Sequence, residues 1–341
     1  MSRSSGRARA IAGLVVAGVF VFLLARRVEW SGVRRALAGA SLWPLALGLV
    51  ALAADMAARI TRWWWMLRAA EPELPLASCV RPFLGSLALN NTVPLRAGDV
   101  VRAVGFRRAL GAPVAHVAGT LVLERLLDLL VLLAILLAGV AGTRGVFPHA
   151  FLVAAGGAGA LALAALLALT FLPGPITSVI RRTMTRFFRG RPWLPAMSRA
   201  VDQIAAALAL LRSPGRAARL LGMSLVAWLL EGLVFACAAW SLGLGVPWPA
   251  PWLALGAATL ATLLPSSPGY VGTFDYFASL ALSAYGAPAA GAAAFALITH
   301  LMLWAPVTVA GFAALAAMRE SAAPSTKAAE ARLPAEGGVS A

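Results

Sequence analysis

Apolar stretches of this 341-residue sequence hold ionisable side chains at Asp55, Arg96, Asp99, Glu124, Arg125, Asp128, Glu231 and Asp275. At the centre of a membrane helix each such charge costs about 2.5–3.5 kcal/mol, so a chain that keeps them uses them. Arg96, Arg102 and Arg125 suit phosphate oxygens, because a guanidinium is planar, always charged and donates two parallel hydrogen bonds. Asp99, Glu124, Asp128 and Asp275 suit a cationic group, a sugar hydroxyl or a proton. Glu124 and Asp128 stand four residues apart and share a helical face, with Arg125 about a quarter-turn away. The plainer reading of this trio is ion pairing that clamps helices together. Asp55, Glu231 and His300 have no partner visible in the sequence, and structural or interfacial roles are expected of them.

Two polar breaks must position these groups. One is Asn90-Asn91-Thr92-Val93-Pro94-Leu95-Arg96-Ala97-Gly98-Asp99, and its echo is Leu264-Pro265-Ser266-Ser267-Pro268-Gly269-Tyr270-Val271-Gly272-Thr273. Each sets a Pro four residues before a Gly inside an apolar stretch. Non-helical backbone at membrane depth survives only where protein or a water-filled cavity satisfies its polar groups. A pair of Gly/Pro-interrupted segments in two halves of a chain points to a transporter-like binding site. Half-helices starting near Asp99 and Thr273 would aim amide N–H groups and a positive dipole end into that cavity. A plain Pro kink is the alternative for the second break. The residues expected to line the site are Asn90, Pro94, Arg96, Gly98, Asp99, Arg102, Glu124, Arg125, Asp128, Pro265, Ser267, Pro268, Gly269, Gly272 and Asp275.

Composition sets the class. The chain is 61% hydrophobic and 12% charged, with mean hydropathy +0.84, which predicts an all-α polytopic membrane protein. A net charge of +16 would suggest nucleic acid in a soluble chain; here it falls in loops and predicts a cytoplasmic membrane surface. Nucleic acid is therefore excluded as a partner. Cys79 and Cys237 lie in or beside apolar segments without metal spacing and read as packing residues.

Spans are expected at 10–25, 42–62, 114–142, 149–172, 220–244 and 289–317, with half-helices at 76–93, 99–111, 252–264 and 273–286. That gives about six transmembrane helices and two re-entrant hairpins. Each half, 10–142 and 149–318, crosses an odd number of times, so the second is inverted relative to the first. A short surface helix is expected over 28–41, and Arg59, Arg62, Trp63-Trp64-Trp65 and Arg68 mark a membrane interface. The basic stretch 176–219 reads as a cytoplasmic amphipathic insert in a single domain, 1–320, followed by a disordered tail, 321–341. Gly156-Gly157-Ala158-Gly159 reads as close helix packing, and a homodimer is one use of such a surface. Charge asymmetry puts both termini in the cytoplasm.

Enzyme signatures such as HExxH, GxSxG and a P-loop are missing, and no cofactor or metal is expected. Three runs carry a resemblance: Leu89 to Arg102, Glu124-Arg125-Leu126-Leu127-Asp128, and Pro265 to Asp275. They resemble, in order, the motifs of the lysylphosphatidylglycerol synthase transmembrane-region, flippase-like family. The resemblance implies a bacterial cytoplasmic-membrane domain that moves a lipid headgroup between leaflets. Its partner would be an anionic or aminoacylated phospholipid or a polyprenyl-phosphate-linked headgroup. Asp99 and Asp275 occupy positions more often Glu in the family. No counterpart of the soluble aminoacyl-transfer domain follows residue 318, so synthase activity is not expected. The alternative function is a non-transporting membrane anchor for a lipid-modifying glycosyltransferase, docked through 176–219.

Overall fold

The computed structural model describes residues 3–93, 97–141, 149–191, 193–264 and 267–322, and all regular structure among them is helical. Pro94, Leu95, Arg96, Pro265 and Ser266 of the two breaks, and the tail from residue 323, lie outside the described residues. The helices are α1 (Arg3–Ala25), α2 (Trp30–Ala38), α3 (Leu42–Leu67), α4 (Ala77–Thr92), α5 (Ala97–Val104), α6 (Arg107–Leu110) and α7 (Val114–Ala141) in the first part. The second part holds α8 (His149–Phe171), α9 (Pro173–Phe188), α10 (Leu194–Leu208), α11 (Pro214–Ser241), α12 (Pro249–Ala261), α13 (Thr273–Ser283) and α14 (Ala289–Ala322).

Among the described residues, four segments are long and apolar enough to cross a membrane: Leu42–Leu67, Leu194–Arg212, Pro214–Ser241 and Ala289–Met318. A fifth arises if Gly159–Ala168 and Pro173–Phe188, bent by 90° at their junction, form one span. The chain is thus a multi-pass membrane protein. By length and composition, the expected spans 10–25 and 114–142 fall outside this set. Every bilayer-length window of α7 contains Glu124, Arg125 and Asp128, while the apolar part of α1 is short, Leu14–Ala25. The basic insert also divides. Val179, Phe187 and Phe188 of α9 are exposed, but Ala207 and Leu208 of α10 are buried beside Gly119 of α7. Leu210 and Leu211 continue that contact towards Met66 and Leu220, so this half of the insert is part of the bundle.

At the centre, α3 lies along α11. A Cβ at Gly48 would stand 3.2 Å from the Cys237 side chain, and the Ser41 N–H donates to the Ser241 carbonyl at 2.7 Å. That bond satisfies a carbonyl at the end of α11 that would otherwise be orphaned in an apolar setting. Around this pair two contacts mirror each other. Helix α4 packs on α14 through Gly85, which faces Leu315, and Gly311, which faces the Leu84 backbone. Helix α12 packs on α7 through Gly256, which faces Leu136, and Gly139, which faces Leu253. Gly85 stands nine residues before Pro94, and Gly256 nine before Pro265. Small residues let helix backbones approach where lipid offers no hydrophobic drive to associate. By contrast a Cβ at Gly156 or Gly157 would meet nothing within 4 Å among the described residues, where close helix packing was expected. Gly159 makes only ordinary contact with Leu133.

Contacts of α2 with α14 and of α1 with α13 complete the frame. The short helix expected over 28–41 forms at Trp30–Ala38, with Val33 buried and Gly32 against Ala290 of α14. Phe20 of α1 packs on Tyr276 and Phe277 at 5.2 and 5.4 Å, which sets α1 against α13.

These contacts predict unequal glycine substitutions. Gly311→Val drives a side chain into the Leu84 carbonyl and destabilises the protein by about 1–3 kcal/mol, whereas Gly156→Ala is neutral. Thermal unfolding of the two variants in the same detergent, with the parent alongside, reads the difference.

Candidate functional site

Helix α3 brings three ionisable groups to one face. Asp55, Arg59 and Arg62 follow at spacings of four and three, and all are buried. Arg59 donates from Nε to Asp55 at 2.7 Å and from Nη2 to Glu231 of α11 at 2.7 Å, with its guanidinium 4.2 Å from the Trp228 ring centre. Arg62 donates from Nη1 to Asp128 of α7 at 2.7 Å and to Ser224 of α11 at 2.6 Å. Trp228 adds an indole N–H to the same Asp128 oxygen at 3.1 Å. Asp55 and Glu231 thus have partners that sequence spacing alone did not reveal. Arg59, Arg62 and Trp63 are not interface markers as expected; they are interior, because each carries a polar group that another helix satisfies.

The network continues into the first break. Arg102 of α5 is fully buried between the rings of Trp63 and Phe83, 4.9 and 4.8 Å away, and donates to Glu124 at 3.1 Å. Asn90 and Asp99 bind each other twice: the Asn90 amide donates to Asp99 at 2.9 Å, and the Asp99 backbone N–H donates back at 3.2 Å. Asp99 sits in the first turn of α5. Gly98 allows this closure, since any Cβ there would strike the Ser86 carbonyl. Arg125 joins Asp99 at 3.5 Å, Glu124 at 3.4 Å and Asp128 at 4.0 Å, and its side chain is 41% exposed. Asn90, Gly98, Asp99, Arg102, Glu124, Arg125 and Asp128 therefore come together as one polar body. Arg102 is enclosed in it, whereas Arg125 faces outward.

The second break is built around Asp275. One of its oxygens accepts the Gly272 N–H at 2.9 Å, and the other lies 2.8 Å from Nδ1 of His300. His300 Nε2 lies 2.8 Å from the Gly269 carbonyl. Gly269 and Gly272 have φ of 72° and 86°, which side chains disfavour, and Tyr270 adopts φ 60° between them. Ser267 donates to the Val271 carbonyl at 3.2 Å, and Pro268 opens the short 3₁₀ turn Pro268–Tyr270. The start of α13 does not open into a cavity as expected. Thr273 is buried, and a Cβ at Gly272 would stand 2.6 Å from the Ala17 carbonyl of α1. A positive helix end covered by α1 takes the nearest carboxylate, here Asp275.

Helix α14 joins the two breaks. His300, Trp304 and Thr308 recur every four residues on one face. His300 holds the second break, Thr308 accepts from the Asn91 amide at 2.8 Å, and Trp304 donates to the Asn91 carbonyl at 3.4 Å. A Cβ at Gly269 would contact both Trp304 and Asn91, so the breaks touch there. Sequence reasoning missed His300 as a site residue. Its i, i+4 spacing to Trp304 and Thr308 was the available signal.

Removing one partner of a buried pair strands the other charge. Asp128→Asn leaves Arg62 uncompensated and costs about 3–5 kcal/mol, while Asp202→Asn, which breaks an exposed pair with Arg181, costs less than about 1 kcal/mol. Monodisperse yield and melting temperature of the two purified variants should separate clearly.

The polar body spans α3, α5, α7 and α11, and the breaks lie on α4 to α5 and α12 to α13. The family model of the lysylphosphatidylglycerol synthase TM region matches residues 10–311, which include all of these segments. None of the curated proteins compared matches the chain. The chain belongs to the lysylphosphatidylglycerol synthase TM region family.

Proposed function

We propose that the protein translocates a phospholipid or lipid-linked headgroup across the membrane, along the polar body between the two breaks. The carrying observation is the gradation of ion pairs around Arg125. Arg59 and Arg62 hold their carboxylates at 2.7 Å and are buried, whereas Arg125 is half in the open with contacts of 3.4 to 4.0 Å. A phosphate could displace those loose contacts and take both arms of the guanidinium. Acyl or prenyl chains would stay in lipid, beside exposed apolar residues such as Leu301 and Val309. Family membership supports a lipid-related role. The reading assigns no catalytic residue.

The architecture we attach to this function is an inverted repeat with two re-entrant hairpins. The mirrored contacts of α4 with α14 and α12 with α7 support it, as does the shared Gly-to-Pro spacing. Both termini would then be cytoplasmic in a bacterial inner membrane. A second reading, a non-transporting partner of a glycosyltransferase, draws on the exposed Phe187, Phe188 and Trp193 beside the arginines of α9.

Leaflet-resolved lipid transport in proteoliposomes tests the first reading. Arg125→Gln should lower transport by about 10- to 100-fold, the worth of a charge-assisted contact, with Arg125→Lys between it and the parent. Both proteins should remain monodisperse, since Arg125 is not enclosed. A stable Arg125→Gln protein that transports at the parental rate would remove the headgroup role and favour the partner reading.

A further inference from the structure

We propose a second binding site whose ligand is a proton: Asp275 and His300 together hold one exchangeable proton, and its loss unlatches the second break from α14. The proposal follows from counting hydrogens. The Gly269 carbonyl only accepts, so His300 Nε2, 2.8 Å away, carries a hydrogen. Nδ1 stands 2.8 Å from Asp275 Oδ1. A neutral imidazole has a single N–H, and spending it on Gly269 would set the Nδ1 lone pair against a carboxylate. The close contact therefore needs a second proton between Nδ1 and Oδ1. It resides there as imidazolium beside carboxylate, or as imidazole beside carboxylic acid. Both forms have the same composition and no net charge, which suits side chains only 15% and 6% exposed.

When that proton leaves to water, a carboxylate and a ring with one hydrogen remain. The ring then serves Asp275 through Nδ1–H or Gly269 through Nε2–H, and never both. Asp275 is also fixed by the Gly272 N–H, so the ring keeps the charged partner and gives up Gly269. Gly269 and Tyr270 are both in the left-handed region, and this turn loses its His300 bond to α14 while keeping the Thr273 hydroxyl bond to the Tyr270 carbonyl. Because Gly269 abuts Asn91 and Trp304, release reaches the first break as well.

The surroundings leave the pair to act alone. Helix α12 has no titratable side chain, and α14 has none but His300 over residues 289–318. Helix α1 meets α13 through Ala17, Phe20 and Val21, and α4 contributes Asn91. From α11, Phe235 packs on Phe274, while Glu231 is bound to Arg59. Arg34 and Arg35 of α2 are exposed. Arg27 lies over the Tyr276 ring at 5.6 Å, and Tyr270 and Tyr276 are the flanking phenols.

Two measurements on the full-length protein in nanodiscs test this. Nitrogen-15 NMR of ring-labelled histidine reads the proton count; the chain has three histidines, and His300→Ala identifies the signals of interest. Thiol reactivity of Ser267→Cys, with Cys79 and Cys237 replaced by Ala, reads the break against Val179→Cys on the exposed face of α9. The proposal expects one proton to leave the pair as pH rises. At the same midpoint, Ser267→Cys should react about tenfold faster, as loss of one such hydrogen bond would produce. Asp275→Asn should keep the break closed at every pH, because its amide donates to Nδ1 without a titrating proton. A His300 ring whose proton count never changes would overturn the proposal, as would an equal pH step in Asp275→Asn. The readout is the break and not lipid movement, so failure here leaves the transport reading standing.

Discussion

A guanidinium inside an apolar bundle must be met by a carboxylate from somewhere, and α3 carries two of them. Arg59 takes Asp55 from its own helix and Glu231 from α11; Arg62 takes Asp128 from α7 and the Ser224 hydroxyl from α11. Leaving either unpaired would cost more than one hydrophobic contact returns, so the pairing fixes which helices neighbour α3 and at what rotation. Helix packing in a membrane has little hydrophobic drive of its own. The ionic contacts supply the specificity that burial of Leu and Val cannot.

Around that spine, close approach is set by what is missing from the backbone. Gly85 and Gly311 bring α4 onto α14, and Gly139 and Gly256 bring α7 onto α12. Each break is then delivered to α14 at a different level of one helical face. Thr308 and Trp304 receive Asn91, and His300 receives Asp275 and Gly269. Irregular backbone inside the bundle is thereby satisfied by side chains of a regular helix, which is the condition for its presence at membrane depth.

The polar body grades from rigid to loose. At the α3–α11 end, contacts are short and enclosed; at the first break, Arg125 is more open and its contacts are longer. The headgroup role proposed for Arg125 rests on this gradient, since a fully spent guanidinium offers nothing and an unsupported one would not stay ordered. Arg102 lies at the enclosed end: it is sandwiched by Trp63 and Phe83 and paired through Nη2 to Glu124, while its Nε and Nη1 have no hydrogen-bond partner among the described residues.

What the sequence determined by itself was local. Hydropathy and charge made a multi-pass helical membrane protein, Pro and Gly marked both breaks, and the run from Glu124 to Asp128 announced a polar face on α7. The resemblance in those runs named the family. Partners were not legible, because an ion pair between α3 and α11 or α7 joins residues far apart in the chain, and nothing local distinguishes Arg62 from a residue at a membrane interface. His300 stood alone for the same reason: its carboxylate lies on α13, and its carbonyl in a turn that only packing brings near. The tertiary structure decided which arginine is spent and which is open, that α10 joins the bundle, and that α1 covers the start of α13. Each depends on distance between segments, and side-chain type fixes what a residue can bind without fixing what it meets.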